Sequence, residues 1–104
     1  MDRIVERGML YDFYGELLTE HQKQIYEALV YNDMSLGEIA DEYDISRQGV
    51  HDLIKRCDKI LNNYEDKLHL IDKFQRVKSN VKRIETITDN AEIRDLVNQI
   101  LEDI

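Results

Sequence analysis

SLGEIADEYDISRQGVHDLIKR, residues 35–56, is the stretch on which the fold of this chain depends. Leu36, Ile39, Ala40 and Tyr43 recur at helical spacing and give a short helix one apolar face. Val50, Leu53 and Ile54 do the same for a second helix, and Ile45 falls in the turn between them. Two helices crossing steeply over a short turn need a small side chain where they touch, and Ala40 supplies it. So tight a turn calls for one left-handed residue. Glycine is the usual occupant; Asp44 stands there instead, and aspartate tolerates that region better than most side chains. The pattern predicts a helix-turn-helix.

Both helices carry start signals. Ser35 and Glu38 form a capping box, in which hydroxyl and carboxylate each satisfy a backbone amide. Ser46 is a good N-cap for the second helix. Arg47, Gln48, Gly49 and His51 are then its first residues, with Asp52 close by. In this motif the N-terminal end of the second helix enters the major groove. Arginine pairs with guanine and glutamine with adenine through two hydrogen bonds, each worth about 1–3 kcal/mol of discrimination. Gly49 costs roughly 1 kcal/mol of helix stability against alanine and lets the backbone approach a phosphate closely. Lys55, Arg56 and Lys59 follow at positions suited to backbone phosphates. Ser46, Arg47, Gln48, Gly49, His51, Asp52, Lys55, Arg56 and Lys59 are therefore the candidate nucleic-acid-binding set. The competing reading is a plain helical hairpin inside an all-helical domain.

The 104 residues fit one domain, or a small domain with an appended helix. There is no proline, and the four glycines stand at positions 8, 15, 37 and 49, a composition that points to an all-α fold. No apolar run approaches the roughly 20 residues needed to span a bilayer, so no membrane insertion is expected. With no targeting segment at the start and a lone cysteine, the expectation is a soluble cytoplasmic protein in a reducing compartment. The net charge of −8 argues against a polyanion as partner until its distribution is examined. Residues 1–45 hold 3 basic and 11 acidic side chains, residues 46–83 hold 10 and 5, and residues 84–104 hold 1 and 6. The positive block begins at the second helix of the motif, as phosphate contact requires. Its acidic flanks still repel a polyanion within about a Debye length, roughly 8 Å at physiological salt, so binding by one copy should be weak.

A first helix is expected over about residues 3–18, its stripe formed by Ile4, Leu10, Phe13, Tyr14, Leu17 and Leu18. Thr19 and Gln22 form another capping box, opening a helix through Tyr31 with Ile25, Tyr26, Leu29 and Val30 inward. Residues 1–60 thus form a helix-turn-helix bundle. Val50, Ile54, Cys57, Leu61, Tyr64, Leu68 and Ile71 then alternate at spacings of 4 and 3, a coiled-coil seam. This predicts one helix from 46 to about 78, about 50 Å long, of which the first third packs on the bundle. A last helix opens near Asp89 or Asn90 and carries Ile93, Leu96, Val97, Ile100 and Leu101. Residues 61–104 are then an extension that either folds back on itself or, as favoured here, joins two copies into a homodimer through Leu61, Tyr64, Leu68 and Ile71.

The run from Tyr14 to Phe74, on the strength of ELLTEHQKQIYEALVYNDMSLGEIADEYDISRQGVHDLIKRCDKILNNYEDKLHL, resembles the small bacterial YlxM-type proteins, also called the UPF0122 or p13 family. Its most specific pieces are YNDMSLGEIADEYDISRQGV, IKR and YEDKL; beyond about residue 75 nothing is carried over. The resemblance implies a helical fold like the DNA-binding region of sigma factors. It also implies a link to the signal recognition particle pathway, because such proteins look to be encoded beside its GTPase subunits. DNA, the RNA of that particle and its GTPase are the partners implied. The residues matching the family's reading helix are Ser46, Arg47, Gln48, Val50, Lys55 and Arg56, while Gly49 and His51 stand where alanine and tyrosine are expected in many relatives. A major-groove reader suits B-form DNA better than RNA, whose A-form major groove is deep and narrow.

No catalytic constellation is apparent. His21, His51 and His69 lie far apart in sequence. Cys57 falls on the seam, where a small buried thiol is the ordinary explanation. Asp41, Glu42 and Asp44 read as the solvated exterior of a short helix, without calcium-loop spacing. No glycine-rich phosphate loop occurs, and Tyr26, Tyr31, Tyr43 and Tyr64 sit at core spacings. Neither enzyme activity, cofactor nor metal is expected.

Overall fold

The computed structural model describes residues 3–104, which hold six α-helices, one short 3-10 turn and no strand. They are α1 (Arg3–Tyr14), α2 (Glu20–Val30), α3 (Leu36–Tyr43), α4 (Arg47–Leu68), α5 (Leu70–Ile87) and α6 (Ala91–Asp103), with the 3-10 turn at Gly15–Leu17. The fold is all-α, as composition and periodicity predict. The chain divides into two compact units, Met1–Leu68 and His69–Ile104.

In the first unit α4 is the central element, packed by α1, α2 and α3. Its seam residues Val50, Ile54, Cys57 and Leu61 are buried, as are Leu10 and Tyr14 of α1, Ile25 and Tyr26 of α2, and Ile39 and Ala40 of α3, the helices packed on it. Burying each of the larger aliphatic ones, Leu10, Ile25, Ile39, Val50, Ile54 and Leu61, contributes about 1.5–3 kcal/mol. Both predicted capping boxes form: Thr19 with Gln22 and Ser35 with Glu38. α1 ends sooner than expected, in the 3-10 turn, and Ile4 and Leu17 of the predicted stripe face solvent. Gly15 is needed at that turn, because a Cβ there would lie 2.8 Å from the Tyr11 ring. That ring in turn stacks on Tyr26, their centroids 5.7 Å apart.

Polar contacts between helices complete the unit. Arg7 of α1 donates Nε and Nη2 to the two carboxylate oxygens of Asp58 of α4, at 3.1 and 2.7 Å. The Tyr26 hydroxyl of α2 donates to Asp58 Oδ1 at 2.6 Å. One carboxylate therefore ties three helices together. Burial opposes the Arg7 charge, but the hydrogen bond and ion pair to Asp58 outweigh it and raise its pKa. Burial also pushes the Cys57 thiol up to about 11.

The single helix expected from 46 to about 78 does not occur. α4 stops at Leu68, His69 takes a left-handed conformation (φ 56°, ψ 30°), and α5 starts at Leu70. Histidine is among the side chains that enter this region at modest cost, so no glycine or proline marks the break. The seam also has another cause than a coiled coil: it is the line along which α4 packs on the first unit. Leu61 is fully buried there, and Tyr64 stacks on Tyr14 with centroids 6.0 Å apart. Leu61 is thus core rather than a face offered to a second copy, and the unit extends to Leu68 instead of ending at residue 60.

The second unit is a hairpin. Asn90 caps α6, its side-chain oxygen accepting from the backbone amides of Glu92 and Ile93 at 2.9 and 3.1 Å. Arg94 donates Nε and Nη2 to the Thr88 carbonyl, holding the connection. α6 packs on α5 within the same chain, burying Val81 and Val97. The fold-back considered from the sequence is therefore present.

Candidate nucleic-acid interface

The candidate interface centres on the turn between α3 and α4. Asp44 adopts the left-handed conformation expected of it (φ 54°, ψ 47°), and the Ile45 amide reaches back to the Ala40 carbonyl at 3.1 Å. This is the six-to-one bond of a Schellman cap, which ends α3 and turns the chain toward α4. Ser46 then caps α4: its Oγ accepts from the Gly49 amide at 2.9 Å, and its carbonyl from the Val50 amide at 3.0 Å. Gly49 is half-buried, and a Cβ at this position would lie 3.0 Å from the capping hydroxyl. The absent side chain thus favours the cap as well as access to the backbone.

Val50, Ile54 and Cys57 point into the core and hold the helix. Ser46, Arg47, Gln48, His51, Asp52, Lys55, Arg56 and Lys59 are all exposed. This brings four permanent cations, Arg47, Lys55, Arg56 and Lys59, onto the solvent side of residues 47–59 of α4, where Asp52 is the exposed acidic exception. Gln48 Nε2 donates to Asp52 Oδ1 at 2.9 Å, and His51 Nδ1 lies 3.6 Å from the same oxygen. The amide is therefore oriented along the helix surface before any ligand arrives.

Two residues not singled out in the sequence join this surface from α1. A cleft of about 440 Å3 beside α4 is rimmed by Arg3, Arg7, His51, Lys55 and Asp58 over a floor that includes Ile54. Arg7 is committed to Asp58 and neutralises it. Arg3 reaches to 3.7 Å of the same carboxylate, yet its side chain is 75% exposed, so its guanidinium adds to the cationic edge at Lys55. No local sequence pattern could bring Arg3 and Lys55 to one cleft, because that comes from the packing of α1 on α4. Among the described residues no cluster of metal-type ligands occurs, and no helix is long and apolar enough to cross a membrane.

The family described as "Putative helix-turn-helix protein, YlxM / p13 like", UPF0122, matches residues 1–104. The chain belongs to that family. It is 50% identical over 76 residues to a UPF0122 protein of Caldanaerobacter subterraneus, a match covering 73% of this chain and 65% of the relative, just under two thirds of that protein's length. It is 47% identical over 79 residues to a UPF0122 protein of Shouchella clausii, covering 76% and 72%. A UPF0122 protein of Bacillus thuringiensis is 38% identical over 103 residues, covering 98% and 94%. Membership extends the likeness past residue 75, where the sequence motifs alone carried nothing, and includes the α5–α6 hairpin.

Proposed function

We propose that this protein is a non-enzymatic, DNA-binding regulator that reads a major groove with the first turns of α4. The observation that carries the proposal is the division of α4 into a buried apolar side and an exposed cationic one within a helix-turn-helix. In a chain of net charge −8, such a concentration of basic side chains on one surface supports a polyanionic ligand. Arg47 and Gln48 are the base-reading candidates at the N-terminal end; Lys55, Arg56, Lys59 and Arg3 suit the phosphates that flank a groove. B-form DNA is favoured over duplex RNA because a helix fits its major groove.

The signal recognition particle link implied by the family resemblance enters as the setting of this regulator. Its particle RNA and GTPase are the alternative partners against which DNA is tested. A homodimer belongs to the same proposal, since two copies would offset the weak binding expected of one acidic chain.

The test is a selection for bound duplexes followed by anisotropy titrations. Arg47→Ala and Gln48→Ala should each weaken the selected site by about 1–3 kcal/mol and random DNA much less. Lys55→Ala should weaken both alike and lower the salt slope by about one. Equal losses on both DNAs for Arg47→Ala reject sequence reading. Recovery of the particle's GTPase in a nuclease-treated pull-down, without any selected duplex, replaces the regulator with a protein adaptor.

A further inference from the structure

The α5–α6 hairpin has only half of a helical core. Val77, Val81 and Ile84 on α5 follow heptad spacing, as do Ile93, Val97, Ile100 and Ile104 at the other side of the hairpin. Contact within the chain buries Val81 and Val97, at 6% and 2% exposure. Val77, Ile84, Ile93, Leu96, Ile100 and Ile104 keep between 39% and 53% of their surface in water. Two helices enclose no interior, whereas four do.

Charge indicates what covers this face. α5 carries five basic and two acidic side chains, a net of +3, and α6 one basic and four acidic, a net of −3. A face used by two copies around a two-fold axis must be its own complement, and this one is. A partner of uniform charge would be repelled by one helix or the other.

We propose that a second copy of the chain docks its hairpin here, forming an antiparallel four-helix bundle. Each α5 lies between its own α6 and that of the other copy, so that signs alternate around the bundle and like-charged helices occupy the diagonals. The two-fold axis then runs along the bundle, and both chains enter it from one end. The surface shares no residue with α4, so its test is independent of nucleic-acid binding.

Analytical ultracentrifugation of the full chain at tens of micromolar should give twice the chain mass of 12.4 kDa. Ile84→Glu and Ile100→Glu, made separately, should each yield monomers with the helical circular dichroism retained. Lys82→Glu combined with Arg83→Glu, two exposed positions, should raise the dimer dissociation constant at least tenfold while leaving the fold intact. Spin labels at Asp89→Cys, in the α5–α6 connection, should lie near one another. A wild-type monomer, or glutamate variants as dimeric as the wild type, overturns the proposal. Labels separated by the length of α5, roughly 27 Å, overturn the arrangement of the axis.

Discussion

Gln48 and Asp52 stand one helical turn apart on the exposed side of α4, joined by a 2.9 Å hydrogen bond. The carboxylate orients the amide, and it also sets a negative charge among Arg47, Lys55 and Arg56. It is 61% exposed, so water screens its effect on a passing phosphate to about 0.5–1 kcal/mol. Asp52→Asn should therefore raise affinity for random duplex DNA about 2–5-fold at low salt, as read by anisotropy, while reducing the preference for a selected site. An unchanged affinity would take the phosphate path away from this turn. Glu38 shows how much of such residue-scale detail is legible beforehand. Its place in the capping box follows from spacing alone, and the Ser35 backbone amide that it accepts from holds its pKa below the usual value. The partner of Gln48 follows equally from an i, i+4 relation. The place of Arg3 does not, because Lys55, which lines the same cleft, is far away in the chain.

At the scale of elements, turns and interhelical ties decide the geometry. Asp44 accepts a left-handed conformation that glycine adopts without steric cost. Asp44→Gly should raise the stability of the first unit by about 0.5–1 kcal/mol, visible as a higher urea midpoint with unchanged slope. Arg7→Leu tests the tie between α1 and α4. It leaves the Asp58 carboxylate, 17% exposed, with the Tyr26 hydroxyl and the exposed Arg3 at 3.7 Å but without the fork of donors from Arg7. The expected loss is about 2–3 kcal/mol, below the full cost of an orphaned buried charge because water reaches it in part. Helix starts and the Asp44 turn were legible because caps are local chemistry. The end of α4 was not. An unbroken heptad pattern reads equally as a coiled coil or as a helix packed on a bundle, and His69 carries no breaker signature.

Across the whole molecule, the buried Cys57 thiol and hydrogen-bonded phenol groups link stability to alkaline pH. Burial raises Cys57 from an ordinary 9.0 to about 11, and partial desolvation together with a hydrogen bond to Asp12 raises the largely exposed Tyr31 from 10.0 to about 12. Tyr11 and Tyr26 shift in the same direction, burial again first, then hydrogen bonds to Glu27 and Asp58. In each case the fold favours the neutral form. The contribution is complete below the ordinary pKa and is lost as pH rises through the folded value, which for Cys57 is from about 9 to about 11. The urea midpoint should hold steady up to about pH 8.5 and then fall, Cys57 alone accounting for on the order of 2 kcal/mol by pH 11. Cys57→Ala should flatten the early part of that decline, and an identical decline would assign it to the tyrosines.

Periodicity, capping residues and the clustering of positive charge after residue 45 are properties of neighbours along the chain. They suffice to specify an all-helical protein with a helix-turn-helix at residues 35–56 and a cationic α4. Whether a given apolar position meets its own chain or solvent is a property of neighbours in space. Only packing decided that Leu61 is core, that α6 folds onto α5, and that Arg3 lines the same cleft as Lys55. The hydrophobic effect rewards burial without naming the surface that provides it, so a stripe of apolar residues leaves its partner to be chosen by the tertiary structure.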